Sequence, residues 1–299
     1  MSLDLNIVIV AYNSAQVIGG LLDSIPAAVD GLTYEIVVVD NGSADGTADL
    51  LAARGGCQVV CSVNTGYAGG INRGVRAGTS AEAILILNPD VRLEEKSVRP
   101  LVDALTEPDA GIVVPQVRSP SGALERSLRR EPSPLRALGL NWTGVPAFSE
   151  YLRNSSDYDS PRTVDWALGA VMLMSRKCYE AVDGWDESFF LYSEETDLCL
   201  RARDAGFLTR YEPRSVAVHI GGGSGRDRTT HAMQIVNRVR LYRRRHGIPA
   251  SWCYFWLTIA SELSWLLRGQ WRSWYAVLAL ILPARRPAEI NSSDHLLPQ

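Results

Sequence analysis

The chain has 299 residues, 46% of them hydrophobic, and a formal net charge of −3. That length suits one large α/β domain or two smaller ones and excludes a peptide-sized module. Its five cysteines (Cys57, Cys61, Cys178, Cys199, Cys253) are odd in number and lack C-x-x-C spacing, which argues against a zinc or redox motif and for a reducing, cytoplasmic setting. Net charge hides one uneven stretch: residues 226–246 hold seven arginines against one acid, Asp227.

The chain opens on "MSLDLNIVIVAYNS", which has no basic leader and a short apolar run entering a polar turn; it reads as a strand and not a signal peptide. Further Val- and Ile-rich runs follow at Glu35 to Val39, Cys57 to Ser62, Ala83 to Leu87 and Gly111 to Pro115, each separated by a segment of helical composition. This alternation predicts βαβ units around a mainly parallel sheet with helices on both faces. Ser14 is expected to cap the first helix and Pro26 to end it; Ser43 or Asp45 caps the second, and Gly55-Gly56 closes it. Right-handed crossovers then gather the strands' carboxyl ends at one edge, where such sheets bind ligands.

Residues 117–163 are rich in Ser, Pro and Arg and predict loops covering a site. Regularity returns over Val164 to Ser175, and a helix is predicted from Glu194 to Ala205, capped by Ser193 and closed by Gly206. From Ala250 the character changes again. Ser251 to Leu267 is apolar at 12 of 17 positions and Trp271 to Leu282 at 10 of 12, and five of the eight tryptophans lie in this tail.

Chemistry concentrates at the strand ends. Asp40 follows "EIVVV", Asp90 follows "ILILNP", and Asn13 lies just past the first strand. Together they offer what a nucleotide site needs, directional acceptors for base and ribose and an anion for a cation on the diphosphate. Turn chemistry accounts for any one of them alone. "NTGYAGGINRG", Asn64 to Gly74, would let backbone amides approach a ligand, but it lacks G-x-G-x-x-G spacing. In "GWDESFFLYSEETDLCLRARDAG", Glu194, Glu195 and Asp197 suit a helix N-terminus on dipole grounds, yet the aromatic approach "FFLY" sets them at a pocket wall, where a carboxylate can act as a base. His219 ends an apolar run before a glycine cluster; alone it reads as structural, and facing Asp90 it reads as part of a shell for Mn2+ or Mg2+.

Six segments in order, "VIVAYNS", "VVVDNGSADGT", "NTGYAGGINRG", "LILNPDV", "WALGAVMLMSR" and "GWDESFFLYSEETDLCLRARDAG", resemble family 2 glycosyltransferases of the GT-A fold, especially the bacterial rhamnosyltransferase branch. The resemblance runs from about residue 5 to 224. It implies a nucleotide-sugar-binding half over 1–115, an acceptor-binding and catalytic half of the same domain over 116–225, and a helical tail over 226–299. By it, Asn88-Pro89-Asp90 stands where the family carries D-x-D, so Asp90 would hold the metal, assisted by His219, with Asn88 in place of the first aspartate. Asp40 matches the residue that reads a pyrimidine. Ala11, Tyr12 and Asn13 match the loop beneath the nucleotide, and Asn64, Gly66, Gly70 and Asn72 the loop lining base and sugar. Glu195 matches the catalytic base, with Glu194 a competitor because the sequence reads Glu-Glu where the family has Glu-Asp. Trp166 and Gly169 fall at the donor-sugar and acceptor pocket. The implied reaction is inverting transfer from dTDP-rhamnose or a UDP-hexose to a glycan or lipid-linked acceptor, with no nucleic acid involved.

Neither apolar tail block reaches the roughly 20 residues that span a bilayer. Tryptophans after an Arg-rich segment fit helices lying on an anionic cytoplasmic leaflet, making the protein peripheral there; packing against the catalytic domain or a second subunit of a homodimer is the alternative. Two rival activities are weighed. A nucleotidyltransferase would need a basic triphosphate loop, and near Asn64 there are only Arg73 and Arg76. A non-catalytic sugar-nucleotide-binding protein of the same fold draws its support from Asn88 and Glu195.

Overall fold

The computed structural model describes residues 3–221 and 227–290. The glycines at 222, 223 and 225 after His219, and Arg226 at the head of the basic run, lie outside the described residues, as does 291–299. Strand β1 (Leu3–Ala11), helix α1 (Ile18–Ala28), β2 (Tyr34–Asp40), α2 (Thr47–Arg54), β3 (Gln58–Cys61), α3 (Gly66–Ala77) and β4 (Ala81–Leu87) form the expected βαβ series. β1 pairs in parallel with both β2 and β4, and β2 with β3. Alternation then sorts the side chains. Leu5, Ile7 and Ile9 of β1 pack with Leu21 and Ile25 of α1 on one face, while Val8 and Val10 pack with Ala68 and Ile71 of α3 on the other.

Next come β5 (Val91–Leu93), α4 (Val98–Leu105) and β6 (Ala110–Arg118), then a short ribbon of β7 (Leu128–Arg129) and, after helix α5 (Pro134–Ala137) and β8 (Arg162–Val164), β9 (Trp166–Ala167). β10 (Val171–Ser175), α6 (Arg176–Ala181), α7 (Glu194–Asp204) and β11 (Leu208–His219) complete the sheet, in the order β3-β2-β1-β4-β10-β6-β11-β5 with β8 on β11. The sheet is mostly parallel, with β10 inserted antiparallel between β4 and β6 and with β5 and β8 antiparallel to β11. That reversal positions the site: because β10 runs backwards, its amino-terminal approach lies at the edge where the other strands end, and the Asn88 amide donates to the Ala170 carbonyl at 2.9 Å.

Three local expectations are corrected. α1 begins four residues after Ser14, whose hydroxyl is engaged with the Tyr12 backbone while its carbonyl accepts from Val17 and Ile18. Pro26 lies inside α1, which continues to Ala28. Ser193 stands at the cap position of α7 but makes no side-chain cap bond, because its φ of +75° is left-handed.

Helices α8 (Arg228–Arg245), α9 (Ile248–Leu267) and α10 (Arg272–Ile281) share a core of their own, with Val236 and Val239, Tyr254 and Phe255, and Val277 and Leu280 among its members. Part of the arginine run is tied to the catalytic domain by side-chain contacts. Arg238 pairs with Glu150, Arg244 with Asp186 at 2.8 Å and Arg245 with Asp204 at 2.6 Å, and Arg240 is fully buried against Phe189. Among the described residues no helix is long and apolar enough to cross a membrane.

Candidate active site

Strand register brings Asp90 and His219 together. β5 runs antiparallel to β11 with Val91 opposite His219, so the residue before β5 meets the last residue of β11. His219 Nε2 lies 3.3 Å from Asp90 Oδ2, and its Nδ1 lies 3.2 Å from Glu125 Oε2. The hydrogen bond that the imidazole donates to Asp90 pushes its pKa up to about 9; burial opposes this, and the charge of Asp90, together with Glu125, adds to it. Burial works to raise the Asp90 carboxyl, but the His219 hydrogen bond and charge outweigh it and hold the group below its ordinary value. Asn88 is fixed differently. Tyr67 Oη donates to Asn88 Oδ1 at 2.7 Å and lies 3.2 Å from the Gly169 carbonyl, which leaves the Asn88 amide group to serve the cavity as a donor.

Opposite stand the two glutamates. A cavity of about 250 Å³ is lined by Asn88, Asp90, Glu125, Gly169, Glu194, Glu195 and His219, so the site residues from β4, β5, β10, α7 and β11 do share one cleft. Burial raises both glutamate carboxyls; the Glu195 charge raises Glu194 further, whereas Arg129 offsets part of the effect at Glu195. One oxygen of each is buried without a hydrogen-bond partner. A second cavity, about 180 Å³, is lined by Trp166, Tyr192, Glu195 and Arg238. Glu195 thus lies in the wall common to both cavities, and Glu194 faces the first alone.

The approach to α7 is held under strain. Tyr192 and Ser193 have φ of +68° and +75°, a conformation that costs a non-glycine residue about 1–3 kcal/mol. The clamp comes from the tail: Asn237 Nδ2 of α8 donates to the Leu191 carbonyl at 2.9 Å and the Tyr192 carbonyl at 3.3 Å, and Arg240 reaches the Ser188 carbonyl at 3.2 Å.

The nucleoside-side residues are placed less uniformly. Asp40 ends β2 beside Ala11, only 4% exposed, with Oδ1 buried and unpartnered. Tyr12 is 53% exposed on the same edge. Asn13, at φ +50°, accepts from the Ala44 amide at 2.9 Å and so ties its loop to the one before α2. None of these lines the cavity of the two glutamates. Four expectations in the glycine-rich segment meet structural explanations. Asn64 Oδ1 accepts from the Gly66 amide and from Asn41, shaping the turn. Gly66 has φ +80°, and a Cβ there would lie 2.2 Å from the Phe190 carbonyl oxygen. Gly70 lets α3 approach β1, since a Cβ would meet Val10 at 2.7 Å. Asn72 is buried with all four hydrogen-bonding positions used, by Trp185 twice, Glu187 and Tyr179, so it braces α3 and does not face a ligand.

Trp166 is anchored by its indole N–H on the Arg130 carbonyl at 2.9 Å and lines the second cavity; Gly169 lines the first, where a Cβ would come within 3.6 Å of Glu195. Sequence reasoning missed Tyr67, Glu125, Arg129 and Asn237. Tyr67 sits inside a quoted motif and was open to notice; the others carry no local signal.

The fit to a divalent cation is partial. Among the described residues no three His, Cys, Asp or Glu side chains converge as a shell, and Asp90 and His219 bond each other directly. They nevertheless line the cavity with one carboxylate and one imidazole, which would exchange the proton on Nε2 for an ion that takes its remaining ligands from phosphate and water.

A mostly parallel sheet in this strand order, with helices packed on it, is a fold of the GT-A type. Two solved structures support the fold: GalNAc-T7 with UDP, GalNAc and Mn2+ (TM-score 0.60, 14% identity, covering 80% of this chain and 47% of that one) and the Pyrobaculum calidifontis mannosyltransferase PcManGT in complex with GDP-Man and Mn2+ (TM-score 0.57, 18% identity, 95% and 83%). Residues 6–159 match the family described as Glycosyl transferase family 2, and the Mycobacterium tuberculosis N-acetylglucosaminyl-diphospho-decaprenol L-rhamnosyltransferase is 31% identical over 76% of this chain and 80% of its own length. The chain belongs to glycosyltransferase family 2 and is a glycosyltransferase of rhamnosyltransferase-like type.

Proposed function

We propose that the protein transfers a sugar with inversion from dTDP-rhamnose or a UDP-hexose to a hydroxyl of a lipid-linked glycan acceptor, with Glu195 as the general base. The observation that carries this reading is the position of Glu195 in the wall between two cavities, one holding Asn88, Asp90 and His219 and the other Trp166 and Arg238. A base for single displacement has to touch the acceptor hydroxyl while that oxygen faces the anomeric carbon. Glu195 accepts the hydroxyl proton, the oxygen forms its bond to the anomeric carbon, and the bond from that carbon to the diphosphate breaks, its electron pair leaving with the nucleoside diphosphate. Arg129 favours the ionised form of Glu195, which suits it to the role better than Glu194.

Asp90 and His219 would hold Mn2+ or Mg2+, which when bound supplies positive charge against the leaving diphosphate. Asn88, oriented by Tyr67, adds a neutral donor beside them. Asp40, with its unpartnered Oδ1, is assigned to the base of the nucleotide, above the shelf formed by Ala11, Tyr12 and Asn13. The names of the mycobacterial relative and of the Mn2+-containing neighbours support a lipid-diphosphate-linked acceptor and a metal-assisted nucleotide sugar.

The test is Glu195→Gln. Transfer is expected to fall about 10²–10⁴-fold, while stabilisation by nucleotide sugar in thermal melts persists. Unchanged transfer overturns the assignment.

The tail is assigned to the cytoplasmic membrane surface. Trp256, Leu267, Trp271 and Trp274 are 55%, 89%, 75% and 44% exposed, with Arg268 and Arg272 beside them in sequence. Because Arg238, Arg244 and Arg245 of α8 are paired with carboxylates of this chain, apolar insertion carries most of this affinity. Co-flotation with anionic vesicles is expected to persist in moderate salt and to weaken in Trp271→Ser; absence from the vesicle fraction rejects the membrane role.

A further inference from the structure

Beyond Glu195 the second cavity continues into a third space of about 230 Å³, which shares Glu150, Trp166 and Arg238 with it and is closed on the far side by Ser261 and Trp265 of α9. Two guanidinium groups in its wall lack a carboxylate partner. Arg129 is 6% exposed; its Nη1 donates to the Leu128 carbonyl at 3.1 Å and to the Arg126 carbonyl, and its plane stacks over Tyr151 at 3.8 Å. Arg136 donates through Nη1 to the Glu131 carbonyl, and its Nε is buried without a partner. Neither takes part in an ion pair among the described residues. The carboxylates that share this wall are already engaged: Glu150 with Arg238, and Glu262 with His231 at 2.8 Å.

A buried guanidinium hydrogen-bonded to carbonyls alone is costly, since carbonyl dipoles replace only part of its hydration, and Glu150 and Glu195 act on Arg129 through their charge without a hydrogen bond to it. An anion entering from outside would supply the missing hydrogen-bond acceptors, and guanidinium forks suit phosphate oxygens. We propose that this space binds a phosphate or diphosphate group of the acceptor, with Arg129 and Arg136 as its ligands, and that the sugar attached to that group extends back past Trp166 to Glu195. The proposal rests on the transferase reading and adds to it the place where the acceptor's charge is held.

The experiment is calorimetric titration of the full chain in EDTA, where binding of diphosphate through a divalent ion is silent, with geranyl diphosphate in one arm and inorganic pyrophosphate in the other. Loss of one charge-assisted contact of about 1.5–3 kcal/mol predicts that Arg136→Gln weakens geranyl diphosphate binding by about 10–100-fold, with partial recovery in Arg136→Lys. Tighter binding of geranyl diphosphate than of pyrophosphate identifies a lipid-linked source; equal binding identifies a site for the free anion. Arg136 is half-exposed and its variant is checked by its melting temperature; Arg129→Gln, which is buried, serves as the second variant. In transfer assays the KM for a glycosyl-diphosphate acceptor rises in Arg136→Gln and the KM for donor does not. No binding to wild type, or binding equal in wild type and both variants, overturns the site. Failure of every nucleotide sugar to stabilise the wild type would instead reject the donor reading, and would leave Arg136-dependent diphosphate binding standing.

Discussion

The two sides of the central cavity are built on different principles. One side consists of strand ends, Asn88 and Asp90 after β4 and His219 at the end of β11, with Asp40 at the end of β2 farther along the same sheet edge, all placed by backbone ladders whose register leaves little freedom. The base side is a loop of left-handed residues leading into α7, held from behind by Asn237 and Arg240 of the tail. A sheet edge presents polar groups by default because its strands must end there. The loop reaches its conformation only because another part of the chain satisfies its carbonyls. Donor binding and catalysis should therefore respond to different substitutions.

The strongest way to break this division is Asn237→Ala, which touches neither ligand. Releasing the loop should displace Glu195 and lower kcat about 100-fold, with donor KM unchanged; a parallel rise in donor KM would show that the two sides are not separable. Asp40→Asn tests the opposite side. Losing a charged hydrogen-bond acceptor worth about 1.5–3 kcal/mol should weaken nucleotide affinity at least tenfold and leave kcat at saturating donor intact, as measured by initial rates.

A smaller effect sharpens the electrostatics of the base. Burial raises the Glu194 carboxyl well above its ordinary 4.5, so ionising it costs the folded state. That cost is absent below the ordinary value and grows as pH rises through the raised folded one. Glu194→Gln should therefore raise the melting temperature at pH 8 and leave it unchanged at pH 4, each pK unit relieved being worth about 1.4 kcal/mol. The same sign governs activity. Glu195 must be ionised to act, so the acid limb of kcat should lie above the usual carboxylate range.

Much of the sheet edge was legible because its signals are local. Apolar runs ending in Asp or Asn mark strand ends, and parallel βαβ topology makes those ends neighbours. The same logic misread the glycine-rich segment. Gly70 and Asn72 lie in a motif that looks ligand-facing, but along a helix successive residues turn by a third of a circle, so one approaches β1 and the other braces the turn at Trp185. The antiparallel insertion of β10 had no signature either, since a buried strand reads alike in both directions, yet it is what carries Gly169 to the cavity. Glu125 and Arg129 sit in a stretch that reads as loop; their roles depend on His219 and Tyr151, 94 and 22 positions away in the chain. The arginine run was visible, but its orientation was not, because Glu150, Asp186 and Asp204 are remote from it in sequence.

The inward pairing of α8 bears on how such enzymes can be re-engineered. Deleting the last three helices to obtain a minimal domain would remove the side chains that hold the loop leading to Glu195, while the sheet edge would keep its ladders. Exchanging those helices between relatives, by contrast, would transplant Arg238, Ser261 and Trp265 of the two inner cavities together with that brace, so on the proposed roles new glycan selectivity should travel as one heritable block.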